Sequence, residues 1–202
     1  MTSCLSCSPS ELAARLQAGE AAILPTDTLP ALASRPEAAN LLWELKERPR
    51  HKPVILMAAR GDTLLQCLGR AIEPAWQQMA DRYWPGALTL VLPAQGTWLE
   101  QLNPGGTTLG LRLPACQAAL ELLALSGPLA TTSANRSGEP ACLDHREAAE
   151  RFPHVGQLGP VPWPAPSGRG STVIEWMPKG GWKLLRAGAV MPPELSIHGG
   201  SV

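Results

Sequence analysis

The apolar positions of this chain recur with two periods. Ala21 to Pro25, Val54 to Ala58, Ala87 to Leu92 and Pro128 to Thr131 are short apolar runs of strand length. Thr108 to Leu113 alternates strictly, with Leu109, Leu111 and Leu113 on one side and Thr108, Gly110 and Arg112 on the other. Helical spacing fills the intervals. Ser8-Pro9-Ser10-Glu11 has capping-box spacing and opens a helix that runs to Gly19, with Leu12 and Leu16 on one face. Further helices are expected over Pro36 to Glu47, from a cap at Asp62 to Leu68, over Glu73 to Tyr83, over Ala115 to Leu125 and over Asp144 to Arg151. Asn103 to Gly106 is a turn, Pro153 to Gly170 a loop, and Thr172 to Trp176 with Trp182 to Arg186 a closing hairpin. Strands and helices mix along the whole length. The expected fold is therefore α/β (α+β): a single domain over 8–190 with a twisted central mixed sheet flanked by helices, followed by a disordered tail over 191–202.

Composition narrows the function classes. Hydrophobic residues make up 45% of the 202, enough for a sizeable core. The formal net charge is zero, which argues against attachment to nucleic acid by bulk charge. No apolar run is long enough to span a membrane and no secretory signal opens the chain, so a cytoplasmic protein is expected. Five scattered cysteines fit reduced thiols. Cys4 and Cys7 form a C-x-x-C pair without the second pair that zinc requires, and read as thiols on a frayed terminus.

Polar residues gather where the predicted strands end, the place where open α/β sheets bind ligands. Pro25-Thr26-Asp27-Thr28 follows the first strand, although Thr and Asp also suit a plain turn. Lys46 to Pro53 holds Lys46, Arg48, Arg50, His51 and Lys52 between a helix end and a strand, which suits a clamp for a polyanion. Arg112 on the alternating strand needs an anionic partner if buried, either an internal carboxylate or that of a substrate. An Arg held ready for a ligand is a functional feature, so its removal is expected to leave the fold largely intact. Thr131 to Gly138 offers small hydroxyls and a glycine for close approach to a ligand. Neither a P-loop nor a G-x-G-x-x-G is present, and none of the four histidines lies beside a plausible nucleophile.

In order, these clusters resemble the YrdC-like threonylcarbamoyl-AMP synthase family, also called TsaC, as a single-domain member. The matching segments are Pro25-Thr26-Asp27-Thr28, Lys46-Glu47-Arg48-Pro49 with Lys52-Pro53, Trp84-Pro85-Gly86-Ala87-Leu88-Thr89, Arg112-Leu113-Pro114, Ser133-Ala134-Asn135-Arg136-Ser137-Gly138, Ser171-Thr172-Val173 and Arg186-Ala187-Gly188. The resemblance implies a sheet with a concave basic surface. It implies a nucleotidyltransferase that makes L-threonylcarbamoyladenylate and pyrophosphate from L-threonine, bicarbonate and ATP, for modification of adenosine 37 of tRNA. Thr28, Arg112, Thr131 and Ser171 would hold threonine, with Arg112 on its carboxylate. Lys46, Arg48 and Lys52 would meet the triphosphate, and Thr108, Ser133, Asn135 and Arg186 would complete the ATP site. Magnesium would accompany ATP. The implied partners are tRNA or another RNA and the transferase proteins that consume the intermediate.

The chain departs from the family pattern at Leu29-Pro30-Ala31-Leu32, where Val-Tyr-Gly-Leu is usual, at Lys52 (often Asn) and at Met57, where some members place a threonine-contacting His. The connection from Thr28 to Lys46 is short, and the additional C-terminal domain of longer members is not expected. These departures motivate an alternative, a catalytically diverged protein of the same fold that binds RNA or the ribosome. A carbamoyl-transfer module acting on another amine is a third reading.

Overall fold

The computed structural model describes residues 6–198. Ten strands form one mixed sheet: β1 (Ser6–Cys7), β2 (Ala22–Leu24), β3 (Ala31–Ser34), β4 (Ile55–Met57), β5 (Leu88–Pro93), β6 (Thr108–Arg112), β7 (Leu129–Ser133), β8 (Gly156–Leu158), β9 (Thr172–Trp176) and β10 (Trp182–Arg186). Their spatial order is β1-β8-β2-β3-β7-β4-β6-β5-β9-β10. The helices are α1 (Pro9–Gln17), α2 (Asn40–Lys46), α3 (Gly61–Gln66), α4 (Pro74–Tyr83), α5 (Thr97–Leu102), α6 (Gln117–Ser126) and α7 (His145–Arg151). No helix of the described residues is long and apolar enough to cross a membrane.

Local chemistry explains the predicted starts. Ser8 accepts from the Glu11 amide while the Glu11 carboxylate accepts from the Ser8 amide, a complete capping box. Asp144 caps α7 through the Arg146 and Glu147 amides. Elsewhere the structure corrects the expectation. Pro36 to Glu47 is a 3-10 turn, Pro36–Ala38, followed by α2. Asp62 sits inside the first turn of α3 and pairs with Arg60, rather than standing as the cap. Strand β3 and helix α5 form where no element was expected. Strand β8 lies inside the predicted 153–170 loop, between β1 and β2, where pairing on both sides overrides its weak local pattern.

The tail also differs from expectation. Just before it, Ala189 donates to Gly170 O and Thr172 Oγ1 donates to Val190 O, and within it a 3-10 turn spans Pro193–His198. Glu194 accepts from Arg82 and from the Tyr83 hydroxyl, which ties this segment to the end of α4. Residues 199–202 of the expected tail lie outside the described residues, as does Cys4 of the C-x-x-C pair. Cys7 is buried in β1.

Two apolar layers sandwich part of the sheet. On one face Leu56, Leu90, Leu92, Leu109, Leu111, Ala130 and Ile174 pack with Leu42, Trp43, Leu64, Trp76 and Met79. On the other face Ala22, Leu24, Ala31, Ala33, Met57 and Leu129 pack beneath α1 and α6 through Leu12, Leu16, Leu122 and Leu123. That second cover stops at Met57. Beyond it, the face of β4, β5, β6, β7 and β9 is left open, and this opening is the cleft described below.

The closing segment reaches this region only because residue 188 is glycine. A Cβ there would stand 2.3 Å from Gly170 O and 2.4 Å from both the Ser171 carbonyl carbon and the Thr172 nitrogen. Backbone cannot yield as a flexible side chain can. Gly188→Ala is expected to cost about 1–3 kcal/mol of overpacking strain, read as a lower urea midpoint at unchanged m value.

Candidate functional site

The cleft has a volume of about 770 Å³, within the range of small-molecule sites. Its floor is built by strand register. Met57 lies beside Arg112, and Ile55 lies beside both Gly110 and Thr131. Gly110 in turn pairs with Val91, and Thr108 with Pro93. Paired residues point to one side, so period-2 alternation delivers Thr108, Gly110 and Arg112 to the cleft and their leucine neighbours to the core. Gly110 leaves the floor hollow, because a Cβ there would lie 2.8 Å from Ile55 Cγ2. Four cationic side chains (Arg48, Lys52, Arg112, Arg186) and two carboxylates (Glu139, Glu175) line the space.

At one end Arg112 is 3% exposed. Its Nη2 donates to Asp27 Oδ1 at 2.7 Å, Nη1 donates to Thr28 Oγ1 at 2.7 Å and Nε donates to Gly86 O at 3.1 Å. Asp27 Oδ1 also accepts from the Ala115 amide at 3.0 Å. Burial pulls the guanidinium pKa down, and Asp27 opposes that shift. Of the two partners open to Arg112 in the sequence, the internal carboxylate is present. A guanidinium carries five N–H donors, so two remain beyond these three bonds. Thr28 is placed by Thr26, whose hydroxyl accepts from the Thr28 and Leu29 amides and donates to Leu29 O. Thr131 and Ser171 line the same cleft. Thr131 is fully buried, and Ser171 Oγ lies 2.8 Å from Thr89 Oγ1. Arg186 donates to Ser171 O through Nη2 at 2.8 Å.

The opposite wall departs from the expected phosphate clamp. Arg48 and Lys52 line the cleft, with Arg48 Nη2 donating to Pro53 O at 3.0 Å. Burial lowers the Arg48 pKa. Thr108 also lines it. Lys46 does not. It is 1% exposed, and Nζ donates to Ser133 O at 2.6 Å, Asn135 O at 2.6 Å and Asn135 Oδ1 at 2.8 Å. An ammonium has three donors, so none is left for a phosphate. Ser133 and Asn135 line the cleft, but Ser133 Oγ donates to Asn135 Oδ1, and Asn135 Nδ2 donates to Arg136 O and Glu139 O. In this state their side-chain donors are committed internally. Arg50 and His51, in the same basic run, are exposed and lie outside the cleft lining. Sequence reading gave Asp27 no role. Its signal was a carboxylate between two threonines at a strand end. Thr89, which closes the family-like segment Trp84 to Thr89, and Glu175 also lie on the cleft wall, and the sequence reading gave neither a role.

Among the described residues no group of three His, Cys, Asp or Glu could hold a metal. The Sua5/YciO/YrdC family, described as telomere recombination, matches residues 14–188. The chain belongs to this family. It is 31% identical over 194 residues to the threonylcarbamoyl-AMP synthase of Mus musculus, covering 91% of this chain and 68% of that protein. It is 34% identical over 141 residues to the threonylcarbamoyl-AMP synthase of Pyrococcus abyssi, covering 68% of this chain and 41% of that one. The fold matches P. abyssi Sua5 complexed with L-threonine at a TM-score of 0.82 and 31% identity, covering 89% of this chain and 54% of that one. It also matches E. coli YciO at 0.81 and 20% identity, a likeness of fold, over 93% of this chain and 92% of that one. The chain thus spans about half or less of the length of the P. abyssi relatives.

Because Asp27 holds Arg112, truncating the arginine strands a carboxylate whose side chain is only 18% exposed. Arg112→Ala is therefore expected to destabilise the fold by about 3 kcal/mol, contrary to the expectation of an intact fold. Equilibrium urea unfolding checks this, and the Asp27→Asn/Arg112→Ala double variant should recover part of the loss.

Proposed function

We propose that this chain is a threonylcarbamoyl-AMP synthase that joins L-threonine, bicarbonate-derived CO2 and ATP. The observation that carries this reading is that Thr28, Arg112, Thr131 and Ser171 all line one cleft. They come from four separate segments, in a family whose threonine complex shares the fold.

The remaining Arg112 donors would take the threonine carboxylate. The Thr28, Thr131 and Ser171 hydroxyls offer short-range partners for its polar atoms. The amine nitrogen attacks CO2, forming the N–C bond and losing a proton. A carbamate oxygen then attacks the α-phosphorus of ATP, and the bond to the bridging oxygen breaks as pyrophosphate leaves. No covalent enzyme intermediate is needed, so positioning and charge neutralisation carry the catalysis. Arg48, Lys52 and Arg186 would neutralise phosphate charge, with Thr108 at the same wall. Ser133 and Asn135 would join them by exchanging an internal hydrogen bond for one to ATP. Magnesium would arrive with ATP, held chiefly by its phosphates. The product is a mixed anhydride, which implies a downstream transferase that moves the threonylcarbamoyl group to tRNA. A cytoplasmic setting fits that partner.

The test is pyrophosphate release with ATP, bicarbonate and magnesium, with and without L-threonine. Threonine-dependent release is expected. Absence of release together with salt-steep RNA affinity would replace this reading with the diverged RNA binder. Within the active protein, Arg48→Ala is expected to raise the KM for ATP about tenfold, the loss of one charge-assisted hydrogen bond, and to leave the KM for threonine unchanged. Equal rises in both would remove Arg48 from the phosphate site.

A further inference from the structure

We propose that Lys46 is a positioning residue whose ammonium, without touching substrate, shapes the Ser133–Asn135 wall of the cleft. The function of that wall as the nucleotide end rests on the reading above, whereas the geometry of the latch does not.

Lys46 ends α2 and is joined to the end of β7 and the loop that follows it by four hydrogen bonds. Three run from Nζ to Ser133 O, Asn135 O and Asn135 Oδ1, at 2.6, 2.6 and 2.8 Å. The fourth brings the Ser137 amide to Lys46 O at 2.8 Å. Two peptide carbonyls on a turn would otherwise repel one another across the same small space, and the ammonium is what gathers them. It also sets the orientation of the Asn135 amide. With Oδ1 facing Nζ and the Ser133 hydroxyl, Nδ2 must face Arg136 O and Glu139 O, as it does. A flipped amide would put N–H groups against an ammonium. Ser133 and Asn135 line the cleft while Lys46 stands behind them, so the lysine acts through the wall.

The latch is held by charge, and among the described residues no carboxylate is hydrogen-bonded or ion-paired to Nζ. All three acceptors are neutral, and burial, with Arg48 adding repulsion, lowers the Lys46 pKa from 10.5 to about 8. Arg48 and Cys142 are the titratable neighbours that act on Lys46. Arg48 stays cationic, the Cys142 thiol is pushed up to about 11 and stays neutral, and the neighbouring Glu47 and Arg136 are paired with each other. A neutral amine has one donor fewer and no charge to hold the carbonyls. The wall should therefore loosen as pH rises through about 8. Folding stability follows the opposite sign. The folded state binds this proton less tightly than the unfolded chain, so charged Lys46 is a burden below pH 8 that is relieved between about 8 and 10.5. A group kept merely for stability would not be arranged this way.

The test compares wild type with Lys46→Arg and Lys46→Gln at pH 7 and pH 9. The first readout is amide hydrogen exchange of the 134–137 segment, corrected for intrinsic rates. Wild type is expected to lose about tenfold of its protection at Ser137 between these values, the fraction protonated at pH 9 being about one tenth for a pKa near 8. Lys46→Arg, charged throughout, is expected to show no such loss. Lys46→Gln is expected to be weakly protected at both. The second readout is affinity for a non-hydrolysable ATP analogue, expected to follow the same three patterns. Protection that is pH-independent in wild type and unchanged in Lys46→Gln overturns the proposal, even if Lys46→Arg fails to fold. A latch that behaves as expected in a protein that binds no nucleotide leaves this inference standing and sinks the functional reading instead.

Discussion

A guanidinium buried at the end of β6 decides how the surrounding chain is arranged. Arg112 cannot lie 3% exposed between two leucines unless its charge is met on the spot. Three segments converge to meet it. The turn after β2 supplies Asp27 and Thr28, the turn before β5 supplies Gly86 O, and the start of the β6–α6 connection is tied in through the Ala115 amide on Asp27. The loop before β9 then fastens to the same turn, with the Ser167 amide on Asp27 O and the Gly168 amide on Thr28 O. One ionic pair thus accounts for why segments far apart in sequence close one end of the cleft. It also sets the chemistry there. Paired with Asp27, Arg112 keeps two N–H donors unused while being anchored at three points.

The other end is solved differently. Lys46 is as buried as Arg112, yet it faces only carbonyls and a side-chain amide oxygen. A compact ammonium with three donors fits a cage of three neutral oxygens, where a planar fork prefers a carboxylate. The two cations behind and beneath the cleft are therefore not interchangeable. One is held by a counter-charge and is insensitive to pH near neutrality. The other is held only by dipoles and gives up its proton more readily.

Much of the fold was legible because it depends on local period and punctuation. The alternation of Thr108 to Leu113 carried both the core face and the cleft face of β6, and the Ser8–Glu11 box was complete as written. What the sequence concealed depends on partners distant in the chain. Strand β8 is three residues of no clear pattern that exist because β1 and β2 flank them. Residues 191–198 read as part of a tail because nothing local signals that Glu194 reaches Arg82. In the cleft, alternation alone brings Thr108 and Arg112 to the lining, whereas Lys46 lies behind it. A lysine at a helix end next to Arg48 looks like part of a cationic rim. Only the return of the chain after β7, 87 residues later at Ser133, fills its hydrogen-bonding shell.

The departure at Leu29-Pro30-Ala31 takes on a specific meaning in this setting. Pro30 stands immediately before β3, where a missing N–H removes no ladder bond, and its carbonyl accepts from the Ala134 amide. Leu29 gives its amide to Thr26 Oγ1 and its carbonyl accepts from the same hydroxyl. The backbone of the altered segment is thus satisfied, and a fixed φ at Pro30 stiffens the turn that presents Asp27 and Thr28 to Arg112. The substitution alters what lines the cleft beside threonine's expected position without loosening the residues that hold the arginine. Any change in substrate preference should accordingly come from the shape of that wall, and not from loss of the Asp27–Arg112 pair.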